Sequence, residues 1–166
     1  MTINPELVKA VCPGSFDPIT FGHLDIIERT AQLFPKVVVG VLKNPNKKLL
    51  FTSEERVAFI KAATNHLSNV EVFSFTGLLV DFVKQIQGNL IVKGLRAISD
   101  FEIEFQMALG NKRMAPEVET MFMMTSNEYS FLSSSMIKEL AQFGGDIHEL
   151  VPLEVAKALR EKFLIP

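Results

Sequence analysis

The sequence lacks the features that mark several large classes of protein. Its 166 residues include one cysteine, Cys12, which excludes an intramolecular disulfide and fits a reducing compartment. No stretch approaches the roughly 18 consecutive apolar residues that span a bilayer, and no signal-like apolar segment opens the chain, so we expect a soluble, cytoplasmic protein with no membrane partner. The net charge of −2 lacks the basic excess typical of nucleic-acid binding, so we expect no nucleic-acid partner and local recognition of any anionic ligand.

Internal repeats, low-complexity tracts and Pro/Gly-rich linkers are also missing, which predicts a single domain over residues 1–166. No Cys/His cluster has metal-ligand spacing, so we expect no metal ion held by the protein alone. Cys12 has no evident neighbouring base and is predicted to be a small buried residue. His66 and His148 lack motif partners and are predicted to lie on the surface.

What the chain contains instead is an alternation of β-branched runs with amphipathic segments. The order βαβαβαβαβαα predicts an α/β, Rossmann-like doubly wound sheet of five parallel strands with C-terminal helices. Ligands of such sheets bind beyond the carboxyl ends of the strands, and the motif-like loops follow the first, fourth and fifth strands. These loops meet at one ligand if the strand order is 3-2-1-4-5, which we therefore predict.

The element boundaries follow from periodicity, turn residues and caps. The first strand is predicted to close at Pro13-Gly14 and the fourth to break at Gly94. Capping boxes at Thr52–Glu55 and Ser99–Glu102 predict two helix starts. The predicted strands are residues 8–12, 36–42, 70–75, 90–93 and 120–124, and the predicted helices are 22–34, 52–65, 79–86, 99–114, 133–143 and 152–163.

The segment from Pro13 to His23 places turn formers, a hydroxyl, a carboxylate and a histidine between the first strand and the first helix. Such strand-to-helix turns bind phosphate because helix N-terminal N–H groups point at the anion and the macrodipole favours its charge. His23 falls in the first helical turn, where a ring N–H can reach an anionic oxygen. From composition alone, an ordinary turn with a capping histidine is an equal alternative.

Three further segments place charges or hydroxyl groups at the same edge of the predicted sheet. Lys93–Arg96 follows the fourth strand, where charged side chains favour an anion site. Ser133–Ser135 opens a later helix and could clamp phosphate oxygens with three hydroxyls, or serve only as an N-cap. Lys47-Lys48 lies in a polar loop after the second strand, and from the sequence alone a solvated loop without a ligand is the favoured alternative there.

Together these segments resemble the phosphopantetheine adenylyltransferase family, the nucleotidyltransferases of bacterial coenzyme A biosynthesis. The HxGH-type motif of the superfamily is present as Thr20-Phe21-Gly22-His23, with threonine at the first histidine position. Such a threonine offers a hydroxyl donor in place of an imidazole. The resemblance extends in order over nearly the whole chain, through Lys47-Lys48, Phe51-Thr52, Glu54–Val57, Gly94–Ala97, Asp100–Glu102 and Phe131–Lys138. The last segment resembles an ISSTxxR-like motif, with Leu132 first, Ser135 at the threonine, and Ile137-Lys138 following.

The resemblance implies transfer of AMP from ATP to 4′-phosphopantetheine, giving dephospho-coenzyme A and pyrophosphate by direct in-line attack. It implies catalytic roles for His23, Lys47 and Arg96, and acceptor contacts from Ser15, Lys47, Leu79 and Lys93. The register leaves open whether Lys47 or Lys48 meets the phosphate. The residues implied as ATP contacts are Ser15, Phe16, His23, Gly94, Leu95, Arg96, Glu104, Tyr129, Ser130, Phe131, Leu132, Ser133, Ser134 and Ser135.

The resemblance also implies Mg²⁺ brought with ATP and held mainly by phosphates, a homohexamer, and feedback by coenzyme A. The chain departs from the family at three of these positions. Ser15 stands where many members have threonine, and Tyr129 where many have tryptophan. Lys93 replaces the commoner arginine, which keeps the charge but loses bidentate geometry.

Two other functions fit the same motifs. A nucleotidyltransferase of this fold could act on another phosphate acceptor, such as nicotinamide mononucleotide. A nucleotide-binding regulator could have lost turnover altogether. The joint presence of His23, Lys47, Arg96 and the serine turn favours an active enzyme over the regulator.

Overall fold

The computed structural model describes residues 7–46 and 48–163, with the side chains of Ile98 and Ser99 left out. Five parallel strands form one sheet in the order β3-β2-β1-β4-β5, which confirms the predicted fold class and strand order. The strands are β1 (Lys9–Gly14), β2 (Lys36–Leu42), β3 (Val70–Phe75), β4 (Leu90–Leu95) and β5 (Glu119–Met124).

Within the described residues, six helices connect and follow these strands. They are α1 (Phe21–Leu33), α2 (Ser53–Ala63), α3 (Leu79–Gln85), α4 (Ile98–Met114), α5 (Ser134–Gln142) and α6 (Leu153–Phe163), and a 3-10 turn covers Asn127–Tyr129. Among the described residues, no helix is both long and apolar enough to cross a membrane.

Helices cover both faces of the sheet, so β2 is apolar at nearly every position, as expected for a central parallel strand. Val37, Val39 and Val41 join the larger core cluster, which includes residues of α1, α2, α5 and α6. Val38 points the other way, into a smaller cluster with α3. The period of two along an extended strand produces this division.

Two predicted strand ends were too early. β1 continues through Pro13-Gly14, which pair with Gly40 and Val41 of β2. β4 continues through Gly94 to Leu95, so Gly94 does not break the strand. Its missing side chain serves packing instead, since an added Cβ would lie 2.8 Å from Cγ1 of Ile26 on α1. Glycine at this position therefore lets α1 approach β4 closely.

The two predicted capping boxes had different outcomes. Thr52 caps α2 as predicted: its side chain accepts from Glu55 N–H at 3.1 Å, and the Glu55 carboxylate accepts from Thr52 N–H at 2.7 Å. The Ser99–Glu102 box is wrong, because α4 begins at Ile98 with Ala97 as N-cap. The Asp100 carboxylate accepts from Arg96 N–H at 3.2 Å, which closes the turn without a capping box.

Candidate active site

The carboxyl ends of β1 and β4 open into a cavity of about 660 Å³. This is the edge of the sheet where the predicted switch of strand order lies, between β1 and β4. The cavity brings together twelve of the predicted site residues: Ser15, Phe16, His23, Leu79, Lys93, Gly94, Arg96, Glu104, Leu132, Ser133, Ser134 and Ser135.

The other predicted contacts lie away from the cavity lining or outside the described residues. Leu95 is buried in the core, and the Tyr129 ring packs against Phe21 with centroids 6.3 Å apart. The Ser130 hydroxyl donates to Asn127 O at 2.9 Å, and Phe131 is 59% exposed. Lys47 lies outside the described residues. Contacts from these residues to a substrate stay predictions.

His23 is held in one orientation by Thr20, the N-cap of α1. Thr20 N–H donates to His23 Nδ1 at 3.0 Å, and the Thr20 hydroxyl accepts from His23 N–H at 3.4 Å. A ring nitrogen that accepts a backbone N–H carries no proton, so the neutral imidazole has its proton on Nε2. The Phe16 ring meets the imidazole edge to face, with centroids 5.2 Å apart, and limits its rotation.

The same environment keeps His23 uncharged at neutral pH. Burial, followed by the positive charges of Arg96 and Lys93, lowers the pKa of His23 from 6.5 to about 4. A neutral imidazole offers the cavity a hydrogen-bond donor without a full charge. The Thr20 hydroxyl is occupied by the cap and lies 3.1 Å from Nδ1, so its effect is to orient His23.

Arg96 is clamped by two partners at the mouth of the cavity. Nε and Nη2 donate to the Asp100 carboxylate at 3.0 and 3.1 Å, and Nη1 donates to Leu132 O at 2.9 Å. A guanidinium has five N–H groups, so these three bonds leave one N–H on each terminal nitrogen for an anion. The hydrogen bonds from Arg96 also hold the pKa of Asp100 below its usual range.

Lys93 forms an ion pair with Glu104, which lies in the second turn of α4. Nζ lies 3.1 Å from Oε2 of Glu104, and both side chains are about three-quarters buried. Two residues predicted as contacts to different substrates are thus partners of each other. Glu104 places the ammonium of Lys93 in the cavity beside His23, whose pKa it lowers.

The three serine hydroxyls at the start of α5 differ in their hydrogen bonds. The Ser133 hydroxyl accepts from Met136 N–H at 3.1 Å and caps the helix, while the Ser134 hydroxyl donates to Pro18 O at 2.8 Å. The Ser134 hydroxyl therefore has no O–H left for a phosphate, which excludes a clamp in which all three hydroxyls donate, whereas the O–H groups of Ser133 and Ser135 have no acceptor among the described residues. The N–H groups of Ser134 and Ser135 lie in the first helical turn and are free of intrahelical bonds.

Helix α4 forms a wall of the cavity that the sequence analysis did not identify. Asp100, Ile103, Glu104, Met107, Asn111 and Met114 all line it, at helical spacings of three or four. Asn111 is only 7% exposed and is the uncharged polar residue among these six. The spacing of these residues in the sequence could have indicated one face of a helix. Apolar residues also occur on the opposite side of α4, so the spacing alone does not select the cavity face.

Two other predictions are confirmed. Cys12 is buried at the cavity floor, and burial raises the pKa of its thiol to about 12, so the thiol is protonated at neutral pH. The side chains of His66 and His148 are exposed. In the described part of the chain, no three His, Cys, Asp or Glu side chains cluster so as to hold a metal ion. The carboxylates nearest the cavity mouth, Asp100 and Glu104, are already paired with cations.

Comparison with known proteins shows which family the chain resembles. A family model described as cytidylyltransferase-like matches residues 11–140. Over 157 residues the chain is 60% identical to a phosphopantetheine adenylyltransferase of Heliobacterium modesticaldum, covering 95% of this chain and 94% of that protein. It is 58% identical to a protein of the same name from a Synechococcus strain over 154 residues, covering 93% and 97% of the two chains.

A solved structure supports the fold alone. The crystal structure of a protein from Vibrio parahaemolyticus, assigned as a nicotinate-nucleotide adenylyltransferase, superposes with a TM-score of 0.64. The superposition covers 91% of this chain and 97% of that one, at 21% sequence identity.

Proposed function

The chain belongs to the phosphopantetheine adenylyltransferase family, and we propose here how its residues divide the work of that reaction. The enzyme transfers AMP from ATP to 4′-phosphopantetheine, giving dephospho-coenzyme A and pyrophosphate. The assignment of roles to these residues rests on one observation: a single cavity holds a neutral imidazole, a clamped guanidinium and the first turn of a helix. All three are donors, as transfer between phosphates requires.

An oxygen of the acceptor's phosphate attacks the α-phosphorus of ATP in line with the departing bridge oxygen. One P–O bond forms, the bond to the bridge oxygen breaks, and pyrophosphate leaves with the electron pair. This chemistry needs no covalent intermediate on the protein, so catalysis consists of positioning and charge stabilisation. His23 donates from Nε2 to an oxygen of the α-phosphate, where negative charge grows in the transition state.

The pyrophosphate portion of ATP lies between Arg96 and α5. Arg96 contributes its two unused N–H groups, and Ser134 and Ser135 contribute backbone N–H groups at the positive end of the helix dipole. The Ser135 hydroxyl adds a further donor. Contacts from Leu95 and from Tyr129–Phe131 to the rest of the nucleotide are part of the same proposal, since these residues adjoin the lining.

The acceptor occupies the part of the cavity between β4, α3 and α4. Ser15, Lys93 and the predicted Lys47 meet its phosphate, and Leu79 contacts the chain that follows. Pantetheine alternates amides with short apolar groups, which fits a wall of apolar side chains interrupted by the Asn111 carboxamide. Lys48 is the alternative to Lys47, as the register allows.

Mg²⁺ enters this proposal with ATP. The described residues contribute no cluster of ligands for a metal ion, and Asp100 and Glu104 are held by Arg96 and Lys93. Phosphate oxygens and water would therefore be its main ligands, as Mg²⁺ commonly has in nucleotide sites. When bound, the ion would neutralise charge on the phosphates.

We also propose that the enzyme is a cytoplasmic homohexamer subject to feedback by coenzyme A. The outer face of α4 supports assembly, because Phe101, Phe105 and Leu109 are 41%, 45% and 57% exposed beside the edge strand β5. Such an apolar patch is typical of an interface. Phe105→Glu should dissociate the oligomer in light scattering after gel filtration. Leu33→Glu, at a 64% exposed site on α1, should leave it intact.

Pyrophosphate release tests the acceptor assignment. We expect turnover with ATP and 4′-phosphopantetheine, and far less with nicotinamide mononucleotide. Lys93→Met should raise the KM for the acceptor about 10- to 100-fold, the range expected for one lost charge-assisted hydrogen bond, while ATP affinity changes little. A preference for the mononucleotide would reassign the acceptor. ATP binding without pyrophosphate release from any acceptor would favour the regulator.

A further inference from the structure

We propose that Asp17 is a positioning residue for adenylyl transfer, joining three loops of the active site through one buried carboxylate. The inference rests on the proposed function of the cavity and deepens it. Asp17 is 3% exposed and does not line the cavity. Any effect it has on the reaction must therefore pass through the groups that it holds.

The Asp17 carboxylate accepts hydrogen bonds from two parts of the chain distant in sequence. Oδ1 accepts from Phe51 N–H at 2.9 Å, and Oδ2 accepts from Leu50 N–H at 3.0 Å and from Lys138 Nζ at 2.9 Å. Burial opposes ionisation, but the hydrogen bonds from Lys138, Leu50 and Phe51 outweigh it and lower the pKa of Asp17. The carboxylate is thus charged at neutral pH.

These partners belong to loops with separate tasks at the site. Asp17 lies between Ser15 and His23 in the loop after β1. Leu50 and Phe51 close the loop after β2, in which position 47 carries the lysine predicted to meet the acceptor's phosphate. Lys138 lies in α5, one turn beyond the serine turn. One carboxylate therefore fixes the acceptor loop and the pyrophosphate turn relative to His23.

Lys138 is the basic residue at the end of the ISSTxxR-like motif, and its direction is informative. A cation this close to a phosphate-binding turn would be expected to face the phosphates. Instead its ammonium pairs with Asp17, and Lys138 is absent from the cavity lining. The motif's cation here serves to hold α5 against the loop after β1.

Three nearby hydrogen bonds reinforce the same junction without replacing it. The Ser134 hydroxyl donates to Pro18 O at 2.8 Å, and Arg56 Nη1 donates to Ser15 O at 2.5 Å and to Leu42 O at 3.0 Å. None of these three bonds reaches Leu50 or Phe51. Loss of the Asp17 carboxylate would therefore release the end of the acceptor loop while the other contacts persist.

Asp17→Asn and Lys138→Met test the proposal, with Lys138→Arg as the conservative variant. An asparagine puts its NH₂ group either against Phe51 N–H or against both Leu50 N–H and the Lys138 ammonium, so at least one donor loses its acceptor. A displacement of the reacting groups by about 1 Å is enough to slow an in-line transfer strongly. We therefore expect kcat to fall about 10- to 100-fold in both variants. The KM for ATP should change less than threefold, and Lys138→Arg should recover most of kcat.

Asn69→Ala is the matched control, because Asn69 also braces backbone but far from the cavity. Its side chain donates to Ala31 O at 2.8 Å and to Phe34 O at 2.9 Å. This variant should lower Tm without changing kcat. Amide hydrogen exchange supplies a second readout: Asp17→Asn and Lys138→Met should lose protection in both 48–52 and 133–138, and Asn69→Ala in neither.

The outcomes distinguish a failure of the Asp17 proposal from a failure of the proposed function. If folded Lys138→Met keeps the wild-type kcat and protection, Asp17 is not a positioning residue, even if Asp17→Asn cannot be folded. The same conclusion follows if Lys138→Arg is as slow as Lys138→Met. If the wild type itself releases no pyrophosphate, the proposed function fails, and the exchange pattern then decides whether Asp17 joins the loops.

Discussion

Replacing His23 with alanine should slow the chemical step far more than it weakens ATP binding. In the proposed mechanism the neutral ring donates one hydrogen bond from Nε2 to the α-phosphate, while its other nitrogen accepts from Thr20 N–H. Alanine removes that donor and leaves the cavity otherwise intact, because Arg96 and the α5 turn are held by other partners. ATP keeps these contacts, so its dissociation constant should change less than about fivefold.

The size of the effect follows from where the donor lies. A preorganised donor to an oxygen that gains charge in the transition state contributes a factor of about 100 to 1,000 in kcat, or about 2.7–4 kcal/mol. We expect a loss in that range for His23→Ala. His23→Gln is the matched variant, because its amide N–H can approach the position of Nε2, and it should recover part of kcat.

The pH dependence distinguishes a neutral donor from an imidazolium. With a pKa of about 4, His23 is uncharged throughout the range from pH 5 to 8, so it should add no inflection to kcat there. An imidazolium acting near its ordinary pKa of about 6.5 would lose its charge, and activity, within that range. The decisive measurement is single-turnover pyrophosphate release against pH for the wild type and His23→Gln.

The same pKa difference links His23 to stability. As the pH falls below 6.5 the unfolded chain binds a proton at this histidine, whereas the folded chain resists until about 4. The wild type should therefore lose about 3 kcal/mol of folding free energy over that interval relative to His23→Gln. Equal losses of kcat and ATP affinity in His23→Ala, or a wild-type kcat inflection near pH 6.5, would refute the neutral-donor argument.

Three further predictions concern packing, capping and the arginine clamp. Gly94→Ala should lower the free energy of unfolding by about 1–3 kcal/mol, because its Cβ would overlap Ile26. Gly110→Ala, inside α4, is the control: its Cβ meets nothing within 4 Å and should add about 0.5–1 kcal/mol. Thermal unfolding measures both. Ser133→Ala should cost about 1 kcal/mol through loss of the α5 cap, which urea unfolding would measure. Asp100→Asn frees the guanidinium that it clamps, so the KM for ATP should rise several-fold in steady-state assays while Tm changes little.

The strand order could be predicted from the sequence because it follows from local patterns. The uniform apolar run of β2 requires cover on both faces, and three motif-bearing loops can meet at one ligand in the order 3-2-1-4-5. The orientation of His23 could also be predicted from a local sequence pattern. Thr20 and His23 stand at the spacing of a capping box, with histidine in the place of the usual Glu or Gln.

The details that sequence could not predict depend on contacts between distant segments. Which hydroxyl of the serine turn donates within the protein depends on Pro18 O, a carbonyl 116 positions away from Ser134. The cavity wall on α4 was hidden for another reason: apolar residues occur on opposite sides of this helix, Met107 toward the cavity and Phe105 toward the outside. Periodicity therefore selects no single buried face.

The charges of the cavity explain how a chain with net charge −2 can favour a highly anionic transition state. Among the described residues, the two cations of the lining each hold a carboxylate, with Lys93 at 3.1 Å from Glu104 and Arg96 at 3.0 Å from Asp100. These pairs reduce the net attraction for any anion but fix where each donor points. His23 adds a donor with no charge. In the proposed mechanism, binding of ATP in the ground state is thus moderated, while oriented dipoles favour the charge that develops at the α-phosphate, and we infer that this difference accelerates transfer.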